Sequence, residues 1–330
     1  MNTQAFSAVL LCSSLKKITE NIMNPLIAEI NEIPLRASEF LKHSPEYKLP
    51  LRVPYLGMGS SYFAPLAFKY MGINIYPELA SEYYNYIQRG RKKRKSGVII
   101  SQSGYSSEAV WCAESFSRYV AITNDNGSAL ARHPNAAEKI SLFAGNEQYS
   151  SSKTYINTLL ALFKGFGFNT HHAAALLSDK IKEYDNLGKK MAGEIYNEIA
   201  RKKVHGIYII GNGPNVATAY EAALIMSENT KLCFTGLPLA QYDHGAKETA
   251  AGSIVIQILA KGRSLDRAEK LSRIVSDSGA HVLTVEEPEA DEKFSVIYNI
   301  IPFNYMAVYL AGMLNVKETF AVGGKITTTS

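Results

Sequence analysis

The sequence predicts an α/β fold, built from mostly parallel sheets with helices on both faces and present as two tandem copies. Three observations predict it. Short apolar runs alternate with helical stretches through the first half of the chain, the rhythm of strand–helix–strand units. A strand–Gly-x-Gly–helix pattern occurs twice, at Gly57-Met58-Gly59-Ser60-Ser61 and at Gly211-Asn212-Gly213-Pro214-Asn215, with the first glycines 154 residues apart, an internal duplication. A hydroxyl-rich loop, Ser101-Gln102-Ser103-Gly104-Tyr105-Ser106-Ser107, lies between a β-branched run and a helix and has no counterpart in the second half.

In chain order, Met23 to Leu41 reads as a helix with Ile27, Ile30, Ile33 and Leu35 on one face. Val53 to Leu56 reads as a strand entering the first Gly-x-Gly turn, and Tyr62 to Tyr70 as the helix after it. Ile73 to Tyr76 gives a strand, Ala80 to Tyr86 a helix, Gly97 to Ile100 a buried strand, and Glu108 to Glu114 a helix. Tyr119 to Thr123 is a further strand, and a short helix starts at Ser128. After the polar stretch Gly145 to Ser152, helical sequence runs with breaks from Lys153 to Ile199 and reads as the connection between lobes. Gly206 to Ile210 then reopens the pattern, Val216 to Ser227 is helical, and the strand Ser253 to Leu259 runs into Ala260-Lys261-Gly262-Arg263. The expected division is an extension at 1–22, a first domain at 23–150, a helical connection at 151–200 and a second domain at 201–330.

Composition narrows the function classes. With 330 residues, 46% hydrophobic and 20% charged, the chain has the balance of a soluble globular protein. Its net charge of +5 owes much to one run, Arg89 to Lys95 (RGRKKRK). A solvated linker is the first reading of that run, phosphate steering the second and nucleic acid a distant third, since no aromatic residue interleaves it. Cys12, Cys112 and Cys233 are far apart and form no ligand pattern, which fits a reducing cytoplasm. No metal-ligand spacing occurs among the seven histidines, and no apolar run reaches membrane-spanning length. Neither Gly-x-Gly turn completes GxGxxG, and no acidic residue stands where a ribose reader belongs, so no dinucleotide cofactor is expected.

The serine loop carries the chemistry. Backbone N–H groups at a helix start, the helix dipole and several hydroxyls suit an anion, and Gly104 permits close backbone approach. The loop has no lysine and no GK[ST], which favours a monophosphate ester over a nucleoside triphosphate. An ordinary helix capped by serine is the plainer alternative.

Together, GMGSS, SQSGYSS, the later YSSSK (Tyr149 to Lys153), ELASEY (Glu78 to Tyr83) and the closing GKITTTS resemble the sugar isomerase (SIS) domain family. More closely, they resemble the tandem-domain isomerase half of glucosamine–fructose-6-phosphate aminotransferases, over nearly everything from Met23 to Ser330. The resemblance implies two flavodoxin-like SIS subdomains and an enzyme acting on a 6-phosphorylated amino sugar without a cofactor. It implies that Ser101, Gln102, Ser103 and Ser106 hold the phosphate with Ser60 and Ser61 beside it, and that Ser151 contacts sugar hydroxyls. Glu221 and Glu228 match two acidic positions seven residues apart on one helix face, with Glu221 a substrate-binding residue and Glu228 the proton-shuttling base. His244 matches the ring-opening histidine that serves a neighbouring subunit, implying a homodimer, and Lys325 the tail lysine that forms a Schiff base. Taken singly, these three read as a solvated helix residue, a turn residue and a frayed tail; their joint match favours function. The chain departs from the aminotransferases at Ile225, where they carry lysine, and at Thr319-Phe320-Ala321-Val322, where an upstream arginine is missing. Residues 1–22 are too short for a glutaminase half, and the same scaffold without one is what stand-alone amino-sugar-phosphate deaminases and deglycases of the family look like.

Overall fold

The computed structural model describes residues 25–201 and 203–325. The expected extension at 1–22, with Cys12, and the final residues 326–330 of GKITTTS lie outside the described residues. The chain is helical at 25–31 (α1) and again at Ile33–His43 (α2). The single helix expected from 23 to 41 is broken at Glu32, because Pro34 has no N–H to give and fits only the first turn of a new helix.

The first lobe follows as β1 (Pro54–Gly57), α3 (Ser60–Tyr70), β2 (Tyr76–Leu79), α4 (Ala80–Glu82), β3 (Arg94–Ile100), α5 (Ser107–Cys112), β4 (Phe116–Thr123), α6 (Ala129–Arg132) and β5 (Ala136–Ser141). Its strands are all parallel, in the order β2-β1-β3-β4-β5, the doubly wound arrangement. Two helices come next, α7 (Lys153–Gly165) and α8 (Ala173–Arg201). The second lobe runs β6 (Ile207–Gly211), α9 (Asn215–Thr230), β7 (Phe234–Pro238), α10 (Leu239–Asp243), β8 (Ile254–Lys261), α11 (Leu265–Asp277), β9 (His281–Asp291), α12 (Ser295–Tyr298) and α13 (Ile301–Met313). Its parallel order β7-β6-β8-β9 repeats the first four strands of the first lobe.

Two local expectations shift. The strand expected at 73–76 lies at Tyr76–Leu79, because Gly72 turns the chain at positive φ and pairing with β1 begins only at Tyr76. Arg94 and Lys95 belong to β3, so the basic run is partly strand. It enters β3 at the end opposite the serine loop. Six residue steps along a strand separate the two by about 20 Å, beyond the ~8 Å screening length, so the charges of Arg94 and Lys95 are largely screened from that loop.

Strand residues alternate between two cores. Val98 and Ile100 of β3, with Ile207 and Ile209 of β6, face one large apolar cluster shared by both lobes. Ile99 and Ile210 face the opposite way, into separate outer clusters under α5 and α11. The shared layer contains α2, α3, α7, α8, α9 and α13, so α7 and α8 pack within the body of the molecule. Contrary to the expectation that no apolar run is long enough, Ser295–Met313 has the length and composition to cross a membrane, but most of it is buried inside this layer as core.

Candidate active site

The site forms where β1 and β3 end side by side, since the connections from these two neighbouring strands run to opposite sides of the sheet and leave a crevice. The turn after β1 is set by its glycines. A Cβ on Gly57 would lie 2.4 Å from the Ser61 carbonyl oxygen, and Gly59 has φ +50°. Gly211 and Gly213 repeat both features, at 2.3 Å from the Asn215 carbonyl and φ +50°, so the duplication extends to backbone geometry.

The serine loop is pinned on several sides. The Gly104 N–H donates to the Ser101 carbonyl and to Ser101 Oγ, both at 3.1 Å, and the Tyr105 N–H donates to Ser103 Oγ at 3.2 Å. The Gln102 carbonyl accepts from the Asn124 N–H at 2.9 Å and from Thr123 Oγ1 at 3.2 Å. Gly104 sits at φ +69° with its missing Cβ position 2.0 Å from Ser128 Oγ, so no other residue fits. Ser106 is the N-cap of α5, yet its hydroxyl makes no capping bond and lines the pocket.

Two further segments close the crevice. α9 comes from the second lobe and packs on α3 of the first, with the Phe63 and Tyr220 rings stacked at 5.6 Å. Twelve of its sixteen residues are buried, so the helix is fixed on nearly all sides and its acidic side chains are held in place. The tail after α13 folds back over the end of α9. Lys231 Nζ donates to the Thr319 and Glu228 carbonyls, each at 2.5 Å, and Thr319 Oγ1 donates to Asn229 Oδ1 at 3.3 Å. The result is a pocket of about 240 Å³.

Ser60, Ser61, Ser101, Gln102, Ser103, Ser106, Ser151, Glu228 and Lys325 all line this pocket. Glu221 stands behind the wall, fully buried, its Oε1 accepting from Ser60 Oγ at 2.9 Å while Oε2 has no hydrogen-bond partner among the described residues. His244 is the exception. It is exposed at the end of α10 and is not among the residues lining the pocket.

Burial raises the Glu228 carboxyl to about 7; the Lys325 and Lys231 ammonium groups oppose the rise and Glu147 adds to it. Burial also pushes Glu221 well above the carboxylate range, the Ser60 hydrogen bond opposing and the charges of Glu228 and Glu147 adding. Near neutral pH the pocket therefore holds one carboxyl poised between its two forms, with a second behind it that burial biases towards its neutral form.

The sequence reading missed Glu147, Thr154 and Phe320, all of which line the pocket. Glu147 lies in the polar stretch 145–152, and its only local signal is an acidic residue shortly before the serine-rich start of α7. In the second lobe the corresponding crevice between β6 and β8 holds only about 10 Å³. Glu292 fills it: a Cβ on Gly262 would lie 2.2 Å from the Glu292 carboxylate. An acidic group occupies the place where the first lobe keeps room for a ligand.

No protein-family model matches the chain. Among curated proteins it is similar to glutamine–fructose-6-phosphate aminotransferase from Sulfolobus acidocaldarius, 27% identical over 282 residues, covering 80% of this chain and 46% of the relative. The same enzyme from Sulfurisphaera tokodaii is 28% identical over 288 residues, covering 79% and 47%. The chain thus spans about half the length of the curated relatives it matches. Among solved structures, glucosamine-6-phosphate deaminase from Thermotoga maritima superposes with TM-score 0.72 at 17% identity, over 92% of this chain and 96% of that one. The C-terminal domain of glucosamine–fructose-6-phosphate aminotransferase from Francisella tularensis gives 0.68 at 18% identity, over 92% and 98%. These superpositions match the tandem α/β architecture across nearly the whole described chain.

Proposed function

We propose that this chain, a tandem SIS-domain protein similar to the isomerase region of those aminotransferases, is a sugar-phosphate isomerase acting on a 6-phosphorylated amino sugar. In its simplest form it converts glucosamine 6-phosphate to fructose 6-phosphate and ammonia, or runs the reverse amination. The observation that carries the reading is Glu228, a carboxyl raised to about 7 in the same pocket as the serine loop. An aldose–ketose shift needs one base that serves two adjacent carbons and titrates near the working pH.

In this reading the hydroxyls of Ser101, Ser103 and Ser106 and the loop N–H groups hold the phosphate. Glu228 takes the proton from C2 of the open-chain amino sugar and returns it to C1, while O1 gains a proton and the amine nitrogen loses one, which leaves an alcohol at C1 and an imine at C2. Water then hydrolyses the imine to a ketone and ammonia. Lys325, at the mouth of the same pocket, is the amine that can form a Schiff base with the sugar carbonyl. His244, exposed in its own chain, opens the sugar ring in the site of a second copy, so the working unit is a homodimer.

A regulatory module that only binds sugar phosphate would need the serine loop but neither a near-neutral carboxyl nor a tail lysine in the pocket, and this chain has both. The deciding experiment incubates the protein with glucosamine 6-phosphate and measures ammonia and fructose 6-phosphate together. Equal release of both supports the deaminase reading. Aldose–ketose conversion without ammonia identifies a phosphosugar isomerase, and amine release only from a fructosamine phosphate identifies a deglycase. Binding without turnover of any of these identifies a sensor.

A further inference from the structure

Glu147 makes two sets of contacts, one to the start of a helix and one to the tail. Its side chain is wholly buried. Oε1 accepts from the Ser152 N–H at 3.0 Å, from Ser152 Oγ at 3.0 Å and from the Thr154 N–H at 3.2 Å, and Oε2 accepts from Thr154 Oγ1 at 2.5 Å. The carboxylate therefore satisfies the unpaired donors at the start of α7, where a helix favours negative charge. The loop carrying it is held in turn, because Asn124 Nδ2 donates to the Gly145 carbonyl at 2.6 Å and the Ala144 N–H donates to Asn124 Oδ1 at 2.9 Å.

From the tail, Lys325 Nζ donates to the Glu147 carbonyl at 2.8 Å and to Glu147 Oε2 at 3.3 Å. Most of the Lys325 side chain is covered. Lys325 follows Gly323 and Gly324, both at positive φ with open space around them, so those glycines contribute no side-chain packing to hold the segment down. Between the anchor at Thr319 and Lys325 lies Val322, which is 94% exposed. Among the described residues, hydrogen bonds thus fasten the tail at the end of α9 and at Glu147.

We propose that Glu147 is the latch of the tail: a positioning residue, preset by α7, that holds residues 320–325 over the pocket and fixes Lys325 at its mouth. Glu147 leaves the chemistry to Glu228 and Lys325. Its effect is to make the closed arrangement the ground state, so that Lys325 is in place when substrate enters. The consequence for turnover rests on the function proposed above, whereas the latch itself does not.

Hydrogen–deuterium exchange on the full chain without substrate reads the latch directly. Glu147→Gln keeps the size of the side chain and an oxygen for the α7 N–H groups, but turns its amide towards Lys325 in place of a charge. Amides of 320–325 should then exchange roughly tenfold faster while those of 155–165 are unchanged. Lys325→Met should release the same tail amides, and the double variant should release them no further. If the chain proves active, Glu147→Gln should lower kcat with little change in KM for the sugar phosphate, and Glu147→Asp should recover part of the loss. Faster exchange confined to the start of α7, or tail amides unmoved by either substitution, would show that Glu147 is a helix cap and nothing more. The exchange result stands whatever the activity assays return, so failure of the latch and failure of the functional reading are separable.

Discussion

Ser60, at the start of α3 in the first lobe, donates its hydroxyl to Glu221 of α9 in the second lobe at 2.9 Å, although 161 residues separate them in sequence. This bond joins the turn beside the serine loop to the helix that carries Glu228. Neither lobe holds the whole site: the first supplies the serines and Glu147, the second supplies Glu228 and the tail. The duplication thus yields one pocket built from two unlike copies, with the equivalent crevice of the second filled by Glu292.

Binding should follow the serine loop. Ser101→Ala and Ser103→Ala should each weaken sugar-phosphate binding by about 1–3 kcal/mol, the range for hydrogen bonds to a charged group. Part of each loss should come from a loosened loop, because Ser101 Oγ also accepts from the Gly104 N–H and Ser103 Oγ from the Tyr105 N–H. Titration calorimetry should find one site per chain and poor binding of the unphosphorylated sugar. A second site of similar strength would contradict the plugged crevice.

The pH profile should report Glu228. Only its ionised form accepts a proton, so kcat/KM should fall as pH drops through about 7 and level off above it. Glu228→Gln should lose roughly 10²–10⁴-fold in turnover, along with exchange of the substrate C2 proton with solvent deuterium. A variant that keeps the exchange would assign the base to another residue.

Stability should show the opposite trend with pH. Glu221 is raised in the folded protein, so the fold binds its proton more tightly than the unfolded chain does. That contribution is complete below the ordinary glutamate value of about 4.5 and is lost as pH rises above it. Glu228 adds a loss of the same sign between about 4.5 and 7. Glu221→Gln stays neutral throughout, so its urea midpoint should fall less between pH 5 and 8 than that of the unaltered protein. Equal slopes would mean that Glu221 is ionised in the fold.

What could be read from the sequence was mostly local. The paired Gly-x-Gly turns and the serine loop were legible because each is one strand, one turn and one helix, with glycines where a Cβ would collide. Three strands went unread for physical reasons. β5 exposes Glu138 and Lys139 and lacks a continuous apolar run, β7 contains Gly236 and Pro238, and β9 carries Glu286, Glu287, Pro288 and Glu289. Gly236 is needed because a side chain there would meet the Ala219 carbonyl at 2.5 Å, a requirement of packing that no local pattern announces. Glu147 escaped for the same reason: its partner Lys325 is 178 residues away.

The tail lysine can be tested by chemistry as well as by exchange. Lys325→Arg should abolish turnover, because a guanidinium keeps its charge and cannot act as a nucleophile. Phosphate binding should survive, since the serine loop belongs to a separate segment. Borohydride reduction in the presence of substrate, followed by mass spectrometry, should place an adduct on Lys325. Full activity of Lys325→Ala would remove the residue from the mechanism.

The last prediction concerns His244. It lies exposed at the end of α10, outside its own chain's pocket, and the described residues lining that pocket include no histidine. If ring opening uses His244 of a second copy, each working site takes Glu228 from one protomer and His244 from the other. His244→Ala and Glu228→Gln are then each inactive alone, the first for ring opening and the second for proton transfer. In a mixture that exchanges subunits freely, half the dimers pair one variant with the other. Such a hybrid has one site with both defects and one with neither, so an equimolar mixture should recover about a quarter of the unaltered activity. Sites complete within one chain would recover nothing on mixing. A monomer by sedimentation that keeps full activity on dilution would exclude the shared site.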